Sequence, residues 1–117
     1  MQDGLERGVH LFNEGEYFES HEVLEAVWTP ERGPRRLFLQ SLIHFAVGLH
    51  HYRRGNAIGA GLQLQKALRK LSSYPPGFEG VDTSALLRDG GAWLAAVREG
   101  RPIPGRPEMR LVQSVSQ

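Results

Sequence analysis

The sequence predicts a single all-α domain of about five helices, and three observations carry that prediction. Apolar residues recur at helical spacing through most of the chain, Gly and Pro clusters divide it into segments of helix length, and no segment alternates as a strand would. With 117 residues the chain can bury roughly 65% of its unfolded surface, enough for one core. The hydrophobic share of 40% and charged share of 23% are those of a folded globular protein. We divide it into a domain over residues 1–100 and a Pro-rich tail over 101–117.

The first helix is expected from about Asp3 to Asn13, with Asp3 as N-cap and Leu5, Val9 and Phe12 on one face. Gly15 ends it. The second begins near Glu16 and runs until TPERGP, where Pro30, Gly33 and Pro34 break the pattern. Pro34 opens the third, RRLFLQSLIHFAVGLHHYRR, because a first turn tolerates the missing N–H. This segment is apolar nearly all round and is expected at the centre of the fold. Gly55 closes it, and Asn56 caps a fourth helix, AIGAGLQLQKALRKLSS, whose expected buried side is Ile58, Leu62, Leu64, Leu68 and Leu71. After the loop YPPGFEGVD, Asp82 or Thr83 caps a fifth helix, SALLRDGGAWLAAVRE, in which Gly90 and Gly91 permit a kink or a close contact. The tail RPIPGRPEMRLVQSVSQ is expected to run extended, docking through Ile103, Met109, Leu111 and Val112.

Sliding the chain by 40 residues aligns Gly8, Val9, His10, Phe12, Gly15, Phe18, Leu24 and Trp28 with Gly48, Leu49, His50, Tyr52, Gly55, Ile58, Leu64 and Leu68. We read two related helical hairpins, each turning back after a glycine, and by analogy a TPR-like arrangement. The offset is longer than the TPR repeat and that repeat's consensus is not fulfilled.

Composition narrows function. Zero cysteines exclude a disulfide framework, a thiolate zinc site and a cysteine nucleophile, so any metal would need histidine and carboxylate. A net charge of +1 argues against a general nucleic-acid or anionic-membrane binder, and no run of apolar residues is long enough for a membrane span. We read a cytoplasmic protein. Lys66, Arg69 and Lys70, with Arg53 and Arg54, fit a basic patch for phosphate or nucleic acid, but are read first as a solvated helix face.

The stretch YFESHEVLEAVW, Tyr17 to Trp28, is where chemistry could be written. Advancing 100° per residue places Tyr17, Leu24 and Trp28 in one sector, with Phe18 at its far side and His21 and Glu25 between them; Glu22 lies at the margin. On the third helix Gln40, His44 and His51 share one stripe beside Gly48, where a neighbouring helix can approach closely. Burying an unpaired polar group costs about 1–3 kcal/mol, so we expect these residues to meet in a cluster of His21, Glu22, Glu25, Gln40, His44 and His51. Tyr17, Phe18 and Trp28 would surround it. The cluster supports two functions. One is a structural hydrogen-bond network in a noncatalytic interaction module, homodimeric or serving another protein partner. The other is a metal site of His21, Glu25 and His44 for zinc, manganese or iron, with or without catalysis. HEVLE lacks the second histidine of the zinc-protease pattern HExxH, so protease chemistry is not supported.

The segments GVHLFNEGEYFESHEVLEAVW and PRRLFLQSLIHFAVGLHHYRRGNAIGAGLQLQKALRKL resemble the DUF309 family, small helical proteins of bacteria and archaea without an assigned function. Phe12, Gly15, Tyr17, Phe18, His21, Glu22, Leu24, Glu25 and Trp28 carry the resemblance, which covers roughly residues 5 to 90. It implies a compact all-α fold centred on the second and third helices. It implies no activity.

Overall fold

A computed structural model describes residues 4–112. Five helices follow one another: α1 Leu5–Asn13, α2 Tyr17–Trp28, α3 Arg36–Arg53, α4 Ala57–Leu71 and α5 Thr83–Arg98, with a 3₁₀ turn at Phe78–Gly80 before the last. Each packs chiefly on its neighbours in sequence, as short connections between antiparallel helices require. Asp3, the expected first cap, lies outside the described residues; Gly4 stands at the N-cap of α1. The other two caps form as expected, with Asn56 accepting from Gly59 N at 2.9 Å and Asp82 from Ala85 N at 3.0 Å.

The turns after α1 and α3 are bonded alike. Gly15 N donates to Phe12 O and Glu16 N to Leu11 O; forty residues later Gly55 N donates to Tyr52 O and Asn56 N to His51 O. Both glycines sit in the left-handed region, at φ 82° and 80°, which closes a helix end without a Cβ clash. A second pair of positions also corresponds. A Cβ on Gly8 would meet Leu24, and one on Gly48 would meet Leu64, so each hairpin closes over a glycine.

The core runs through all five helices. Phe12, Phe38, Leu39, Leu42, Phe45, Leu64 and Leu71 are fully buried. Trp93 of α5 reaches across to Phe12 and Phe45, with ring centroids at 6.1 and 5.9 Å. Gly90 makes that approach feasible, since a Cβ there would come within 2.8 Å of Phe45.

Two packing expectations are corrected. Ile58 and Leu62 do not share the buried side of α4, being 80% and 56% exposed, while Leu64 and Leu71 are buried. The helical period is consistent with this, because positions 58 and 62 lie between a third and a half of a turn from the buried positions 64 and 71. In the tail, Met109 is buried and Ile103 partly so, but Leu111 and Val112 are half exposed. Two bonds pin that segment to α1: Asn13 Nδ2 donates to Met109 O at 2.8 Å, and Met109 N donates to Asn13 Oδ1 at 2.7 Å. Val81 and Leu111 form an isolated antiparallel bridge.

Candidate functional site

The buried stripe of α2 is Tyr17, Ser20, Leu24 and Val27, an i, i+3, i+7, i+10 pattern. Its polar member is Ser20, which donates to Gly8 O at 2.7 Å. Only a small side chain fits there, because α1 and α2 approach each other at Gly8. This stripe leaves His21 at the edge of the helix interface and Glu22 and Glu25 exposed. His21 Nε2 and Glu25 Oε2 stand 3.8 Å apart with side chains 24% and 51% accessible, so the (i, i+4) pair forms at the surface.

His44 does not join them. Its ring lies in the seam between α3 and α4, where Gly48 faces Leu64 and Gln63. Gln63 Oε1 is 2.7 Å from His44 Nδ1, and Lys70 Nζ is 2.8 Å from Nε2. The partners fix the tautomer. An ammonium can only donate, so Nε2 carries no proton, and Nδ1–H donates to the amide oxygen. The imidazole is therefore neutral. Its pKa is held below 6.5 by burial first and then by the cations Lys70, Lys66 and Arg69, against a raising contribution from the Gln63 hydrogen bond.

The expected cluster is thus corrected. His21 and Glu25 pair on α2; His44 pairs on α4; His51 lies 3.4 Å from Asn56 Nδ2 at the turn into α4. Gln40 is partly buried on α3. The physical reason is that α3 has two neighbours in sequence, and its polar stripe turns toward α4, which brings Gln63 and Lys70 to satisfy it. The metal set of His21, Glu25 and His44 is not assembled, and among the described residues no three histidine or acidic side chains are grouped to hold a metal ion. Trp28 is not part of a surround either. It lies at the far end of α2 under the Arg36 guanidinium, 4.2 Å from the ring centroid, and its buried Nε1 has no acceptor among the described residues.

What the α2–α3 interface does build is a small apolar cleft of about 150 Å³ lined by Tyr17, Phe18, His21, Val47 and His50. Phe18 is 50% exposed, and its ring stands between two imidazoles, with centroids 5.6 Å from both His21 and His50. Tyr17 forms the floor, buried against Phe12 and covered by Arg53 at 4.5 Å. Burial pushes the Tyr17 phenol up, with Arg53 opposing, so the ring is neutral at ordinary pH. His50 is pushed down by partial burial, then by Arg54, His51, Arg53 and His21. The His50 ring is thus biased toward its neutral form where it borders the apolar opening. His50 and Val47 are not among the residues expected from the sequence; both lie within two residues of Gly48, Val47 at the edge of the polar stripe and His50 roughly a quarter to a third of a turn from it.

The comparisons agree on kinship and leave activity open. An uncharacterised protein of Aquifex aeolicus is 25% identical over 107 residues, covering 91% of this chain and 31% of its own length. YpuF, an uncharacterised protein of Bacillus subtilis, is 35% identical over 75 residues, covering 62% of this chain and 43% of its own length. The chain therefore spans less than half the length of each of these relatives. Residues 5–62, from α1 through the start of α4, match the model of DUF309, a domain of unknown function, and through that segment this chain belongs to the DUF309 family.

Proposed function

We propose that the chain is a noncatalytic, cytoplasmic interaction module whose α2–α3 face takes one aliphatic or aromatic side chain of a protein partner. The observation that carries this reading is Phe18, a large apolar ring left half exposed beside an apolar cleft and flanked by two imidazoles. A folded chain has no need to display such a ring, and an aromatic anchor at a cleft mouth is the usual centre of a binding patch. Glu25 beside His21 and Arg53 over Tyr17 supply a polar rim. The same reading takes the hairpins α1–α2 and α3–α4 as two copies of one unit, supported by their matching turn bonds.

Peptide display against the protein, with counter-selection against Val47→Trp to fill the cleft, tests this. The expected result is a set of peptides sharing one apolar anchor whose binding shifts the His21 and His50 ring resonances and is lost in Val47→Trp. Peptides that bind equally to the filled variant would refute the assignment. Sedimentation velocity of the protein alone separates the two kinds of partner: a concentration-dependent dimer lost in Phe18→Ser would make the partner a second copy.

A further inference from the structure

The net charge of +1 conceals a strong segregation. Residues 32–78 contain eight of the fourteen basic residues and none of the thirteen acidic ones. Most arginines of this stretch are engaged locally. Arg35 meets Glu31 and Glu79, Arg36 caps the end of α2 through the Trp28 and Glu31 carbonyls, and Arg53 donates to Gly15 O. Lys66, Arg69 and Lys70 on α4 have no carboxylate partner among the described residues. We propose that this part of the α3–α4 seam binds a compact phosphate-bearing anion, held by Lys66 and Lys70 with Arg69 beside them, while His44 accepts from Lys70 and positions its ammonium.

The geometry supports the assignment in two ways. Lys66 and Lys70 are one turn apart on the same face of α4, about 6 Å along the axis, which lets two ammonium groups converge on one tetrahedral anion. The Lys70 ammonium is meanwhile bonded to a neutral imidazole, where an ion pair would be expected beside two further cations. Like charges and partial burial lower the Lys70 pKa, with burial the larger cause, followed by Arg69 and Lys66. An anion relieves that repulsion and gives each ammonium a charged acceptor, a stronger bond than a neutral one. Because Arg32, Arg35, Arg36 and Arg53 are engaged locally, the cations left over gather on α4 more than they form a track along a strand of nucleic acid.

The test titrates inorganic phosphate and pyrophosphate into the protein at constant ionic strength, following heat and the His44 and Lys70 side-chain resonances. Saturable binding that moves both signals is expected, weakened about tenfold or more in Lys70→Met and in Lys66→Gln and unchanged in Arg54→Gln. Lys66 is exposed, so its variant reports on binding without a folding complication. No saturable response, or one indifferent to both lysines, overturns the proposal. So does an oligonucleotide that binds more tightly per phosphate than pyrophosphate and shifts Arg53 and Arg54, which would assign the face to nucleic acid.

Discussion

Replacing Met109 with alanine measures whether the Pro-rich segment is part of the fold or a strand laid on it. The side chain is fully buried. Losing the thioether end removes roughly three methylene-sized groups, about 2.4 kcal/mol at 0.8 kcal/mol each, and a partly relaxed cavity adds about 1 kcal/mol. The expected cost is therefore about 3 kcal/mol, a large share of a total stability of about 5–15 kcal/mol. For a domain of this length it corresponds to a fall in Tm of roughly 12 °C. Asn13→Ala removes the two bonds to the Met109 backbone and should cost about 2 kcal/mol. Urea unfolding followed by circular dichroism would give both values. The double variant should cost less than the sum by about 1 kcal/mol, since the asparagine bonds depend on the seated methionine. A Met109→Ala cost below about 0.5 kcal/mol, with an unchanged midpoint for a chain ending at Gly100, would refute the reasoning.

Two further outcomes follow from the packing and from the seam. Gly8→Ala places a Cβ 2.5 Å from Leu24 and should destabilise by about 1–3 kcal/mol, whereas Gly48→Ala meets Leu64 at 3.1 Å and gains about 1 kcal/mol of helix propensity, so it should be near neutral; thermal unfolding of the two variants checks the order. His44 has a folded pKa below 6.5, so the unfolded chain binds more protons as the pH falls and stability declines from about pH 6.5 downward. His44→Gln should flatten that part of the urea-midpoint profile, and an unchanged slope would show that His44 does not titrate as its surroundings require.

The helices were legible because their punctuation is local. Gly15, Gly55, Asn56 and Asp82 each act on backbone groups within a few residues, and all four act as their types predict. The burial of Ile58 and Leu62 was misread for the opposite reason. A residue's type says that it is apolar, but which side of α4 is covered depends also on where α5 crosses it, and Gly90 of α5 approaches α4 at Leu68. The anchoring of Met109 by Asn13 joins positions 96 apart in sequence and has no local signature.

The candidate site failed at one identifiable step. His44 and the close approach at Gly48 are legible on α3, but the helix that packs on them is α4 and not α2. A short connection was the argument for α2, yet only residues 54–56 separate α3 from α4, against residues 29–35 between α2 and α3. The same argument therefore favoured α4. Gln63 and Lys70, seven residues apart on one face, were the complementary groups in plain view. Turning the stripe toward α4 has two consequences. It removes His44 from His21, leaving an apolar cleft with Phe18 at its mouth in place of a histidine–carboxylate cluster. It also sets a neutral imidazole among cations in a stretch of chain without a single carboxylate.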